Sequence, residues 1–410
     1  SLDNAWWIFS HMADRTVVSW GAMIFGYAQQ DQGQTALLLI DAMQHEGIEC
    51  NEVIFISGLK ACGSSQSIQE GKILHNEIVR NGFQLDIAIG SSLIDMYAKC
   101  GCVKDAQRIF DIMPSKNIIS WGALMTGYGQ HEAGPQSIQL FEKMINEGLK
   151  PDKVAFACAL KACAKTGALG DGRCLYDMIV RSRLESHVII GNSLIDLFAK
   201  CGYLDEAQKV FDELLIRDHV VWTILIAGYA ENGHGFEALT LFELMQMEGI
   251  YADAATVICA LKACQTMSAT EKGIELHADI DKKGLWKCEF VSNTLLNMYA
   301  KFASLAELRT LFIKLPATDL VSWNILIAGC AEHEDREEAL ACFECMQNAG
   351  LTPDTVTYVS ILKVSGIIGA IEKGYSFHAK ITEKGLLERD VILANSVIDM
   401  YVKCGLTHVA

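Results

Sequence analysis

The sequence predicts an all-α solenoid, a stack of short helix pairs rather than a set of separate globular domains. Three observations predict it. Trp20, Trp121, Trp222 and Trp323 lie 101 residues apart, each inside a similar heptapeptide, Val-Ser-Trp-Gly-Ala-Met-Ile at 18–24 and Val-Ser-Trp-Asn-Ile-Leu-Ile at 321–327. Each 101-residue period divides into subunits of 35, 35 and 31 residues. Within a subunit the apolar residues fall at helical spacing, as Leu93, Ile94, Met96 and Tyr97 do. Two short helices cannot bury their apolar faces alone, so neighbouring pairs must stack on one continuous core.

The division runs 17–51, 52–86 and 87–117, then 118–152, 153–187 and 188–218, then 219–253, 254–288 and 289–319, and finally 320–354 and 355–390. Partial 31-residue-type subunits fall at 1–16 and 391–410, which reads as a longer array cut at both ends. In 87–117 a first helix is expected through Lys99, a turn at Gly101, and a second helix opening at Asp105, whose charge suits a helix start. Pro114, Pro151, Pro316 and Pro353 stand near subunit ends, where helices stop, and Pro135 stands at the turn between two helices.

Composition excludes several classes. Of 410 residues, 51% are hydrophobic, 20% charged and only 5 are proline, so the chain is neither disordered nor collagen-like. No apolar run reaches the ~18 residues of a membrane-spanning helix, which implies a soluble protein with no membrane partner. The chain opens at Ser1 with no Met and no basic-then-apolar leader. A net charge of −16 argues against a surface that grips nucleic acid everywhere. The 15 cysteines recur with the long period: Cys62, Cys163 and Cys264, then Cys100 and Cys201, are 101 residues apart. Such placement marks small packing residues in a reducing compartment rather than disulfide partners.

These residues resemble the pentatricopeptide repeat proteins, in their plant PLS subclass. There a 35-residue P repeat, an L repeat of about 35 and a 31-residue S repeat alternate. The P pattern is visible in 320–354, the L pattern in Leu160-Lys161-Ala162-Cys163 and Leu276-His277-Ala278, and the S pattern in 192–202. The resemblance covers the whole chain. It implies a right-handed superhelix that binds single-stranded RNA, one base per repeat.

With the first residue of a repeat as position 1, positions 2, 5, 9 and 12 share one face of the first helix. By resemblance that face lines the concave surface. Position 2 is apolar throughout, at Val18, Ala88, Ile119, Ile189, Val220, Phe290, Val321 and Ile392 in the P and S repeats and Val53, Val154, Ala255 and Val356 in the L repeats. The family sandwiches bases there, although ordinary core would look the same. Position 5 is polar in most P and S repeats, at Ser91, Asn192, Thr223, Asn293, Asn324 and Asn395, and aliphatic in the L repeats, at Ile56, Ala157, Ile258 and Val359. The last residue of the P and S repeats is Asn51, Asn117, Asp152, Asp218, Asp253, Asp319 or Asp354. Side chains of these kinds address a base edge, but Asp and Asn are also favoured helix N-caps.

The resemblance implies that Asn with Asp reads U, Thr with Asp reads G, and Ser with Asn reads A. The pairs Ser91/Asn117, Asn192/Asp218, Thr223/Asp253, Asn293/Asp319 and Asn324/Asp354 then spell 5′-A-n-n-U-G-n-U-U-3′. Gly21 and Gly122 occupy position 5 without a side chain and leave their repeats unassigned. Lys99, Lys200, Lys301 and Lys403 recur at position 13 of S repeats, and Lys60, Lys161, Lys262 and Lys363 at position 9 of L repeats. Such a ladder is expected to meet phosphates while the rest of the surface stays acidic.

No catalytic constellation, metal site or cofactor motif is expected. His75-Asn76-Glu77 superficially matches half of a zinc-deaminase pattern, but the equivalent sites read His277-Ala278-Asp279 and His378-Ala379-Lys380. Cys342-Phe343-Glu344-Cys345 follows Ala341 instead of a proline and lies in an expected helix. The segment reads as a non-enzyme. The resemblance implies the specificity region of a mitochondrial or chloroplast C-to-U editing factor, working with RNA-editing accessory proteins or a deaminase-like domain further along the chain. The alternatives are a splicing, stability or maturation factor for organelle RNA, and a peptide-binding scaffold.

Overall fold

The computed structural model describes residues 2–83, 86–131, 133–302, 304–315, 317–333, 335–388 and 390–405. Among these residues there are twenty-four α-helices, one 3-10 turn and no strand. The chain forms two compact units, 1–217 and 218–410. Pro316 lies outside the described residues.

In the first unit the first helices of successive pairs are Val17–Gln29, Glu52–Ser65, Ile87–Lys99, Ile118–Gln130, Lys153–Thr166 and Val188–Lys200. Each packs on the next to make a continuous layer. Gly33–His45, Ile68–Arg80, Val103–Ile112, Gly134–Asn146 and Leu169–Arg181 form the second layer, each wedged between its own first helix and the following one, and Leu204–Glu213 packs on Val188–Lys200. The second unit repeats this arrangement, with first helices beginning at His219, Ala254, Glu289, Leu320, Thr355 and Val391.

The second helix carries the difference between 31 and 35 residues. It has 10 residues in Val103–Ile112, Leu204–Glu213 and Leu305–Lys314, against 13 in Gly33–His45 and Gly134–Asn146. The period therefore shortens without disturbing the layer of first helices.

Local sequence sets each boundary. Asn51, Asn117, Asp152, Asp218, Asp253, Asp319 and Asp354 all cap the helix that follows, each accepting the backbone N–H three residues on. Pro135 sits in the first turn of Gly134–Asn146, where a missing N–H costs nothing. The 14-residue first helices Glu52–Ser65, Lys153–Thr166, Ala254–Met267 and Thr355–Ile368 end in a left-handed residue: Gly167 and Gly369 adopt it freely, whereas Gln66 and Ser268 adopt it against the preference of a side-chain-bearing residue.

The core sits between the layers. Trp20, Trp121 and Trp222 are buried, and phenylalanines from second helices meet the tryptophans edge-on: Phe9 with Trp20, Phe110 with Trp121, and Phe312 with Trp323, at 4.7–4.8 Å. Cys62, Cys163 and Cys264 are fully buried at equivalent sites, and burial pushes their thiols up to about 12, 12 and 11. They fill volume as protonated thiols. His75 belongs to a repeated contact rather than a zinc motif. Its Nδ1 lies 2.8 Å from the Tyr97 hydroxyl, as His277 does from Tyr299 and His378 from Tyr401. No described helix is long and apolar enough to cross a membrane, and the described residues hold no His/Cys/Asp/Glu cluster able to bind a metal ion.

Candidate nucleic-acid interface

Helical phase separates position 2 from the core. All twelve position-2 residues are exposed, the ten larger ones from Val220 at 38% to Phe290 at 75%, while position 3 beside them is buried at Ile54, Ile89, Ala155, Ile190, Val221 and Val291. Val18, Val53, Ala88, Ile119, Val154 and Ile189 in the first unit, and Val220, Ala255, Phe290, Val321, Val356 and Ile392 in the second, thus form within each unit a row of aliphatic and aromatic groups facing water. Exposed large apolar groups repeated in register are a surface with something to cover it.

The row, the fifth positions and the lysines share one groove in the first unit. A cleft of about 410 Å³ is lined by Lys60, Ser91, Asp95, Lys99, Ile119, Gly122, Asp152 and Val154, among others. A second, of about 470 Å³, is lined by Val154, Ala157, Lys161, Ile189, Asp196 and Lys200, among others. Val154 and Thr126 border both. Positions 2, 5, 9 and 13 of successive first helices therefore converge on one trough.

At position 5 and the last residue, capping and pairing coexist. Asp319 accepts Ser322 N–H on Oδ1 at 2.7 Å and the Asn293 amide on Oδ2 at 3.1 Å. Asp354 Oδ1 accepts Thr357 N–H at 2.9 Å and the Asn324 amide at 3.1 Å. Asn117 Oδ1 accepts Ser120 N–H at 2.9 Å and lies 3.2 Å from Ser91 Oγ, whose one proton also has the Ile87 carbonyl within reach at 2.7 Å. Asn192 has its Oδ1 buried without a hydrogen-bond partner, and Asp218 caps its own helix through Val221 N–H. Asn395 is exposed on Val391–Lys403.

Two residues that sequence reasoning passed over complete the arrangement. Thr256 and Thr357, third residues of the helices Ala254–Met267 and Thr355–Ile368, are fully buried. Thr256 Oγ1 lies 2.7 Å from both Asp253 Oδ1 and Thr223 Oγ1, so it relays one to the other. Thr357 Oγ1 lies 2.7 Å from Asp354 Oδ1 and 2.6 Å from Asn324 Oδ1. The signal was a hydroxyl at a site where the earlier L repeats carry Ile54 and Ala155.

These contacts fix the charge of the pairs. Burial pushes the Asp253 and Asp354 carboxyls up, but donation from Thr256 and from Thr357 with Asn324 outweighs it and holds both below the ordinary range. Burial likewise pushes the Asp319 carboxyl up, and donors from Glu289, Ser322 and Asn293 outweigh it and hold the group below the ordinary range. The Glu289 carboxyl, sharing a hydrogen bond with Asp319, is held above its usual range.

The eight lysines are two sets rather than one ladder. Lys99, Lys200 and Lys403 are ion-paired with Asp95, Asp196 and Asp399 one turn earlier, at 2.6–2.8 Å. Lys301 has Asn297 at that place. Lys60 donates to Gln29 Oε1 at 2.6 Å, and Lys161, Lys262 and Lys363 are exposed with no hydrogen-bond or ion-pair partner among the described residues. The position-9 lysines and Lys301 therefore hold the charge that no aspartate pairs.

Stacked helix pairs with a repeating face on the first helices define a helical-repeat protein of the solenoid kind. Residues 18–48, 91–118, 119–149, 192–219 and 220–250 match the family model described as PPR repeat, and 318–364 match the PPR repeat family. A pentatricopeptide repeat-containing protein of Arabidopsis thaliana is 31% identical over 98% of this chain and 58% of its own length. A chloroplastic one from the same plant is 33% identical over 97% of this chain and 64% of its own. The crystal structure of the pentatricopeptide repeat protein PPR10 in complex with an 18-nt psaJ RNA element superposes with a TM-score of 0.70 at 19% identity, over 90% of this chain and 55% of that one. The chain is an array of pentatricopeptide repeats, and it spans less than two-thirds of the length of these relatives.

Proposed function

We propose that the chain is a sequence-selective single-stranded RNA-binding array in which each P or S repeat reads one base. The observation that carries this reading is the shared trough. Exposed apolar residues at position 2 offer flat contact to any base, and the position-5 and last residues beside them carry the hydrogen-bonding groups. The Asn/Asp, Thr/Asp and Ser/Asn pairs make the expected track 5′-A-n-n-U-G-n-U-U-3′. The relation to PPR10, whose structure holds RNA, supports RNA as the occupant. A peptide occupant would leave the alternation of polar and aliphatic fifth positions without a role.

The array belongs, on this reading, to the PLS subclass and specifies a cytidine for C-to-U editing in an organelle. Support comes from the 35/35/31 alternation and from relatives named as chloroplastic or mitochondrial. Catalysis and accessory proteins would come from elsewhere in the longer protein or from partners. The position-9 lysines supply phosphate contacts, with the position-13 lysines contributing less because aspartates already neutralise three of them.

Selection of bound RNAs from a random pool tests the base-reading role, and recovery of the track is the expected result. An unenriched pool overturns it. Sequencing organelle transcripts from cells depleted of the protein separates the cellular roles: loss of one C-to-U change supports editing, whereas altered splicing or abundance with editing intact supports the maturation alternative.

A further inference from the structure

We infer that Cys330 and Cys342, in the repeat 320–354, form a modification site: a dithiol that hydrogen peroxide converts to a disulfide and a thiol reductant restores, locking the helices Leu320–Glu332 and Arg336–Asn348 to each other. Three observations meet there. First, the two helices pack together, Cys330 is fully buried and Cys342 is 7% exposed, and the two thiols share a hydrogen bond. Second, the pair replaces a packing motif. The eleventh and twenty-third residues of the other repeats with periodic tryptophans are Tyr27 with Leu39, Tyr128 with Leu140 and Tyr229 with Leu241, and all three leucines are as buried as Cys342. Tyrosine and leucine thus fill these sites in the same scaffold, and of the four repeats 320–354 alone puts sulfur at both. Third, a cation stands beside the sulfurs. Arg309 Nη2 lies 3.0 Å from Glu338 Oε1, which is itself 4.0 Å from Cys342 Sγ.

The hydrogen bond and the cation set the order of events. Donation from Cys342 holds the Cys330 thiol below its usual range, with help from the Arg309 guanidinium and against burial, while the Cys342 thiol is held above it. Cys330 is therefore the nucleophile. Its thiolate attacks one oxygen of the peroxide, the O–O bond breaks, and the hydroxide that leaves takes the Cys342 proton to become water. The Cys342 sulfur then displaces hydroxide from the Cys330 sulfenic acid, and that hydroxide takes up the proton Cys330 lost at the outset. One S–S bond forms, and the two sulfurs give up two electrons that reduce the peroxide to two waters. Hydrogen peroxide is small enough to enter where Cys342 remains exposed, and sulfurs that share a hydrogen bond need only side-chain rotation to join. The periodic cysteines differ: Cys100, beside Cys62, directs its proton to the Cys62 carbonyl at 3.6 Å.

The test uses the full chain, reduced and then treated with hydrogen peroxide, with free thiols alkylated before digestion and mass spectrometry. A peptide pair linked through Cys330 and Cys342, and released by dithiothreitol, is the expected product. Amide exchange across 320–348 is expected to slow at least about tenfold in the oxidised chain, because the crosslink ties both helices. Cys345 is exposed one turn beyond Cys342, and Cys345→Ser should leave the linkage unchanged. Replacing the pair, Cys330→Tyr with Cys342→Leu, restores the residues with which the other repeats fold. That variant should lose the response to peroxide and keep the exchange pattern of the reduced chain. Peroxide that oxidises single cysteines only, a disulfide that runs through Cys345, or unchanged exchange in the oxidised chain overturns the inference.

Discussion

The repeats that carry the periodic tryptophans come in two kinds, and the two compact units hold one kind each. In the first unit Gly21 and Gly122 leave position 5 empty, and Ile54 and Ala155 occupy the third site of the next repeat. In the second unit Thr223 and Asn324 fill position 5, and Thr256 and Thr357 tie them to Asp253 and Asp354. The helical scaffold is the same in both. What differs is whether the proposed recognition pair is held in place before any ligand arrives. A pair fixed by a buried hydroxyl loses less freedom on binding than a lone carboxylate at an open cleft.

The largest expected effect is at Asp354. Asp354→Ala removes a cap and the partner of both Asn324 and Thr357, and should cost about 2 kcal/mol of stability, against about 1 kcal/mol for Asp152→Ala. Denaturant unfolding of the two variants checks the difference, and equal losses would erase the distinction between the units. Thr357→Ala should cost about 1 kcal/mol and weaken U discrimination at that repeat while leaving the neighbouring repeats unchanged. Gly122→Asn imports the second-unit pair into the first. The preference at its nucleotide should move to U by about fivefold in competition binding.

Charge gives two smaller tests. Changing Lys161, Lys262 and Lys363 to Gln should lower the salt slope of RNA affinity by about 2, whereas the same changes at the ion-paired Lys99, Lys200 and Lys403 should lower it by under about 1. The carboxyls of Asp253, Asp319 and Asp354 are held below their ordinary range. Their contribution to stability is therefore complete above the unfolded carboxylate value of about 4 and is lost as pH falls through the depressed folded values. Thermal melts at pH 7 and pH 3 should show this loss, and it should shrink when the three are replaced by Asn.

Much of this was legible in the residues. The tryptophan period and the 35/35/31 division mark where helices begin, because a recurring Asp or Asn before an apolar run is a helix start as well as a repeat end. Position 2 was not decidable from composition: Val53 on the surface and Ile54 beside it in the core differ only in helical phase. Nor could sequence separate capping from pairing at Asp319, since one carboxylate does both with different oxygens. The lysines divide by what stands one turn before them. Asp95 and Lys99, four residues apart, are an ordinary helical ion pair visible in the sequence, and counting lysines without their neighbours overstated the positive charge.

The double duty of the last residue constrains how such a chain acquires new targets. A site that must also begin a helix accepts Asp or Asn readily and punishes most other exchanges with fraying of the next helix. Drift at that site is thereby confined to the few residues that cap a helix, among them Asp, Asn, Ser and the Thr seen at Thr16, and on the proposed reading fresh specificities arise chiefly through position 5 and the hydroxyl-bearing third site behind it, where side chains change without disturbing where any helix starts.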